Sequence, residues 1–197
     1  MSERSASIDR KTKETDISLT IDLDGSGETD IETGIGFFDH MLCSFAKHGQ
    51  FDLALSCKGD LIVDCHHTIE DCGIVLGQAI NKALGDKKGI SRYGECLLPM
   101  DESLVLSAVD LCGRPYLVFD EKLPVERVGY MDTEMVKEFF YAVSYSAMMN
   151  IHIKLMHGEN AHHIIEATFK SFARSLNMAT KLDPGLTGVL STKGSLG

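Results

Sequence analysis

One five-residue pattern occurs twice in this chain, 96 positions apart, and it constrains the fold more than any other feature. His66-His67-Thr68-Ile69-Glu70 and His162-His163-Ile164-Ile165-Glu166 each open a long run with helical apolar spacing. The first run carries Ile69, Ile74, Leu76, Ile80 and Leu84 and stops at Gly85, which predicts a helix over 66–84 with a C-terminal glycine. The second predicts a helix over 162–182. Glu14, Asp22 and Gly25 also recur as Glu102, Asp110 and Gly113, each 88 positions on. The elements between repeat in order. Alternation predicts strands over 16–24 and 51–57, around a helix over 37–48 that ends at Gly49. In the second half it predicts strands over 103–111, 115–119 and 151–156, with a helix over 134–149. Two copies are too few for a solenoid. The fold expected is α+β: an internally duplicated two-layer α/β sandwich, strands on one face and paired helices on the other. The pseudo-repeats are expected over about 8–88 and 89–184 of a single domain. A linker is expected near 85–89, and a Gly/Ser/Thr-rich loop forms the tail, 185–197.

Composition narrows the function. The 197 residues include 19 Lys+Arg and 29 Asp+Glu, a net charge of −10, and an acidic chain is poorly suited to nucleic acid. The absence of Trp and 7% aromatic content leave little for a base-stacking platform. No apolar run approaches the roughly 20 residues that span a bilayer. The start, Met1-Ser2-Glu3-Arg4, carries no apolar signal region, so a cytoplasmic protein without a membrane partner is expected. The six cysteines form no C-x-x-C pair and are expected reduced, most of them as small buried residues. No dinucleotide fingerprint, P-loop or G-x-S-x-G is present.

The chemistry centres on the doubled pattern. Residues four apart share a helix face, so His66 with Glu70, and His162 with Glu166, can chelate a cation. His67 and His163 lie roughly 100° round the helix, so each dyad can touch two metals. Imidazole and carboxylate without thiolate suit manganese, iron or zinc, and octahedral geometry favours the first two. A single copy reads equally well as a polar helix start; recurrence at matching positions favours metal. His40, beside Asp39, is a further ligand candidate, with a surface histidine as the alternative. The helix matching it offers Glu138, which on its own reads as a solvated charge. Arg92, Arg114 and Lys193, the last in a Ser/Thr/Gly segment, can bind an anion. His48 reads as a helix-end residue with a site role open, His152, between Ile151 and Ile153, is expected to face solvent, and His157 is assigned nothing.

The strings G-I-G-F-F-D-H-M-L (34–42), D-C-H-H-T-I-E-D-C-G-I (64–74), V-D-L-C-G-R-P-Y (109–116), G-E-N-A-H-H-I-I-E-A-T-F-K-S-F-A-R (158–174) and S-T-K-G (191–194) resemble the imidazoleglycerol-phosphate dehydratase family over nearly the whole chain. The resemblance implies a ribosomal-protein/GHMP-kinase-like half repeated twice. It implies two Mn²⁺ per active site, sites shared between subunits, and trimers assembling into a homo-oligomeric 24-mer. The metal ligands it implies are His40, His66, His67, Glu70, Glu138, His162, His163 and Glu166. Glu138 stands where the family usually has His. Phosphate is expected at Arg92, Arg114, Lys170, Ser191 and Lys193. Leu190 replaces the proline the family usually has before that tail segment. The substrate-binding set also takes in Glu14, His40 and His48, and the catalytic set is Glu14, His66 and Glu166. The reaction implied removes water from imidazole glycerol phosphate, a small phosphate substrate, to give imidazole acetol phosphate in L-histidine biosynthesis. Metal binding would favour an imidazolate-type intermediate that expels the hydroxyl, with Glu14 moving the carbon-bound proton. Two other classes compete: a dinuclear hydrolase or phosphatase, and a metal-storage shell. The first would cleave generic phosphate esters; the second would need no Arg92, Arg114 and Lys193 cluster.

Overall fold

The computed structural model describes residues 4–196. Its elements run β1 (Ser5–Lys11), β2 (Thr15–Asp22), β3 (Thr29–Glu32), α1 (Gly36–Gly49), β4 (Asp52–Gly59) and α2 (His66–Leu84), then β5 (Tyr93–Met100), β6 (Ser103–Asp110), β7 (Tyr116–Asp120), β8 (Arg127–Val128), β9 (Met131–Asp132), α3 (Met135–Ala147), β10 (Asn150–His157) and α4 (Ala161–Thr180). Two four-stranded sheets have matching orders, β1-β2-β4-β3 and β5-β6-β10-β7. In each, one edge strand, β3 or β7, runs parallel to its neighbour and the other pairings are antiparallel. Even the register repeats: Ser5 faces Asp22 as Tyr93 faces Asp110. The fold is the α+β arrangement expected. The β8–β9 ribbon has no counterpart among the described residues of the first half.

Alternation explains the strands. Ile17, Leu19 and Ile21 of β2 and Leu53, Leu55 and Cys57 of β4 are buried on one sheet face. The short strands β3, β8 and β9 and the first strand of each sheet, β1 and β5, were not expected. Among its seven residues β1 offers only Ala6 and Ile8 as apolar positions. The α1 helix also ends differently: Gly49 is its last residue, and Gln50 takes the left-handed turn at φ 57°. Gly49 is needed for space, since a Cβ there would stand 2.4 Å from the Phe51 ring.

The helices pair across the two halves. Gly73 and Gly77 let α2 approach α3 closely: a Cβ at Gly73 would lie 2.9 Å from Ala142 Cβ, and one at Gly77 2.7 Å from Val143 O. Helix α1 packs on α4, with Phe45 stacked on Phe172 at 5.7 Å. Phe139, Phe140 and Phe169 join these helices in one core, with ring centroids 5.1–5.3 Å apart. All six cysteines are free thiols, and four of them are buried. No helix among the described residues is long and apolar enough to cross a membrane.

Candidate active site

Both histidine dyads sit on the first turns of helices, placed there by local side-chain acceptors. Asn160 caps α4, accepting from His162 N at 2.9 Å and His163 N at 3.3 Å. Asp64 Oδ1 accepts from His66 N at 2.8 Å at the start of α2. The spacing of four then brings His162 Nε2 to 3.1 Å from Glu166 Oε2, and His66 Nε2 to 3.6 Å from Glu70 Oε2.

Because α1 packs on α4, a third side chain joins the second pair. His40 Nε2 lies 3.5 Å from Glu166 Oε2. One donor atom from each of His40, His162 and Glu166 falls within 4.8 Å of the others. Phe37 walls this cluster, its ring 5.0 Å from that of His162. Burial opposes ionisation of Glu166, yet Lys170 Nζ, 2.7 Å from Oε1, together with His40 and His162, holds it below the usual carboxylate range. Lys170 is therefore placed on Glu166.

The second histidine of each dyad faces a different partner. Asp60 takes His67 Nδ1 at 3.0 and 3.2 Å and raises the ring's pKa, helped by Glu14, whose Oε1 is 3.8 Å from Nε2. Glu102 Oε2 takes His163 Nδ1 at 2.7 Å and raises that pKa too. Glu102 itself is held far below the usual carboxylate range by His163 and by the backbone N–H groups of Asn160 and Glu159. Its repeat, Glu14, accepts no hydrogen bond on its side chain among the described residues; Thr12 Oγ1 shapes its turn by accepting from Glu14 N and Thr15 N. Glu138 is half-buried on α3 and makes no hydrogen bond or ion pair among the described residues.

A separate cavity of about 590 Å³ gathers Arg92, Arg114, Ser191 and Lys193. Arg92 adopts φ 69°, in the left-handed region that side chains disfavour. Its guanidinium is bidentate to Asp110 at 2.7 and 3.1 Å, donates to Leu190 O at 2.6 Å, and lies 4.6 Å over the Tyr93 ring. The tail is thus tied to the body beside Arg114 and Lys193, both exposed. His48 lines another cavity with Arg174 and Cys96, and burial, then Lys170 and Arg174, lower its pKa. The sequence motifs did not point to Asp60 or to holding roles for Glu102 and Asp110. Glu102 and Asp110 were visible only as repeats of Glu14 and Asp22.

The family model for imidazoleglycerol-phosphate dehydratase matches residues 33–176. The chain belongs to the imidazoleglycerol-phosphate dehydratase family. It is 65% identical to the imidazoleglycerol-phosphate dehydratase of Lachnoclostridium phytofermentans over 98% of both chains. It is 59% identical to that of Acetivibrio thermocellus, over 98% of this chain and 100% of the relative. The crystal structure of the dehydratase from Staphylococcus aureus superposes with a TM-score of 0.83 at 41% identity, over 91% of this chain and 99% of that one. The Pyrococcus furiosus enzyme, solved in complex with (S)-C348, also gives 0.83, at 37% identity over 96% and 100%. Imidazoleglycerol-phosphate dehydratases are hydro-lyases of histidine biosynthesis acting on a small phosphate substrate, and the family is metal-dependent. The donor set fits a divalent cation of the harder kind. Two imidazoles and one carboxylate converge at His40, His162 and Glu166 with no thiolate among them.

Proposed function

We propose that this chain converts imidazole glycerol phosphate to imidazole acetol phosphate and water at a dinuclear manganese centre. The convergence of His40, His162 and Glu166 carries the reading, in a chain of this family. The two ions would be held by His40, His66, His67, Glu70, Glu138, His162, His163 and Glu166. Bound manganese would supply Lewis acidity that stabilises negative charge on the substrate's imidazole ring.

The chain's own residues do the rest. Arg114, Ser191 and Lys193 bind the phosphate, and Arg92 keeps two N–H groups for it beyond those given to Asp110 and Leu190. Lys170 keeps Glu166 ionised, and His48 contributes to substrate binding. His40 would hold the substrate as well as the ion, and His66 and Glu166 would orient the reacting end. Glu14, whose side chain accepts no hydrogen bond among the described residues, takes the proton from carbon and passes it to the departing hydroxide, which leaves as water, and the enol tautomerises to the ketone.

The exposure of His66 and Glu70 leaves that ligand face open. It supports a site completed by a neighbouring subunit; the assembly proposed is of trimers forming a 24-mer, in the cytoplasm. The matching sheets support a single domain, 1–197, of two pseudo-repeats, about 8–88 and 89–184, with a substrate-binding tail over 185–197. The test is turnover of imidazole glycerol phosphate by metal-stripped protein with and without added manganese. Activity only with manganese is expected. No turnover by assembled, manganese-loaded protein would overturn the reading, and Glu138 would be the first residue to replace.

A further inference from the structure

His67 and His163 are held alike by carboxylates that are not repeats of each other. Asp60 comes from the turn after β4, whereas Glu102 comes from the β5–β6 turn and is the repeat of Glu14. An ionised carboxylate can only accept a hydrogen bond. Nδ1 therefore carries the hydrogen in both rings, and in the neutral ring Nε2, which faces Glu14 in His67 and Asp101 in His163, is the nitrogen left to bind a cation. In the second half the β5–β6 glutamate does the holding: Glu102 accepts from His163 Nδ1 and from the N–H groups of Asn160 and Glu159. In the first half Asp60 has taken that position on His67 Nδ1, and Glu14 lies instead on the Nε2 side, 3.8 Å away.

We propose that Asp60 and Glu102 are positioning residues that fix the tautomer and rotation of His67 and His163 toward a divalent cation, and that Asp60 thereby releases Glu14 from the duty its repeat performs. The second part rests on Glu14 being the residue that moves the proton. Of the two repeated glutamates, Glu102 is locked by hydrogen bonds from His163, Asn160 and Glu159, and Glu14 meets His67 only at 3.8 Å.

The test measures manganese binding to metal-stripped, assembled protein by the electron paramagnetic resonance signal of the free ion. Asp60→Ala should weaken binding of part of the bound manganese by about 10–100-fold. Asp60→Asn, which keeps an acceptor oxygen, should recover most of the loss. Metal-free melting should be unchanged in both, which a merely structural role for Asp60 would not allow. Glu14→Gln should lose turnover while binding manganese as the parent does. Parent affinity and stoichiometry in Asp60→Ala would overturn the positioning role. Weakened manganese binding in Glu14→Gln would overturn the division of labour. Normal turnover of Glu14→Gln, with Asp60→Ala still weak for manganese, would remove the proton-transfer reading and leave the positioning role standing. A parent that binds no manganese would overturn both.

Discussion

Replacing Asp71 by alanine is expected to cost about 2–4 kcal/mol of stability. Asp71 is buried on α2, next to Glu70, and it joins three elements. It accepts the Thr15 hydroxyl of β2 at 2.5 Å and forms an ion pair with Arg10 of β1. Removing the carboxylate leaves two groups stranded. The Thr15 hydroxyl, in a residue 3% exposed, loses its acceptor, which costs about 1–3 kcal/mol, and Thr12 Oγ1 at 3.4 Å is a poor substitute. Breaking a fully buried ion pair costs about 3–5 kcal/mol, but the Arg10 side chain is 30% exposed, so water recovers part of that. The second half shows the alternative, with Leu98 and Ala167 where Arg10 and Asp71 stand in the first. The double variant Arg10→Leu, Asp71→Ala should therefore regain about 1 kcal/mol over Asp71→Ala alone, because no unpaired guanidinium remains. The assay is guanidinium unfolding of parent, single and double variants at one fixed protein concentration, which holds any assembly contribution constant. A single variant within about 0.5 kcal/mol of the parent would refute the reasoning, as would strictly additive effects in the cycle.

Glu121 should make stability fall with pH. Burial pushes its carboxyl up to about 7, offset in part by the Thr168 hydroxyl donating to Oε1 at 2.6 Å, while Oε2 is enclosed without a partner. An acid with a raised folded pKa stabilises fully below its unfolded value near about 4.3, and that stability is lost as pH rises through about 7. Unfolding midpoints at pH 4.5 and 8 should show a loss of up to about 3 kcal/mol that Glu121→Gln abolishes; an unchanged slope would exclude Glu121 as its source. Arg92→Lys gives up both the fork to Asp110 and the tie to Leu190, so KM for the phosphate substrate should rise at least about tenfold, with a smaller change in kcat. Phe169→Ala opens a cavity between Phe139 and Phe140 and should cost about 3–5 kcal/mol in the same unfolding assay.

The long helices and central strands were legible because their faces are buried on one side and their apolar periods are clean. Helix α2 was bounded to the residue, as Gly85 ends it at φ 55°. Strands β1 and β5 were not legible: one has only two apolar residues, and the other follows an arginine turn whose geometry depends on Asp110. The i, i+4 pairs at the helix starts could be read from spacing alone. Joining His40 to the second pair depended on α1 packing against α4, which no local pattern encodes. The ties of Asp60 to His67 and of Arg92 to Leu190 are equally invisible to spacing, since they join turns and a tail to distant elements. Glu138 matched His40 in the repeat, but no hydrogen bond or ion pair among the described residues ties it to His66, His67 or Glu70.

The crossed pairing of helices, α1 with α4 and α2 with α3, bears on how such a chain could arise. Each helix interface is built from one element of either half, and the Gly73–Ala142 and Phe45–Phe172 contacts are both lost if the halves separate. An ancestor encoding one half would have had to embrace a second copy of itself to cover its helices. Fusion of two such genes would then have turned an encounter between molecules into a covalent neighbour. Two covalently joined copies can also diverge in sequence, and here Glu102 is a strut under His163 while Glu14 meets His67 only at 3.8 Å.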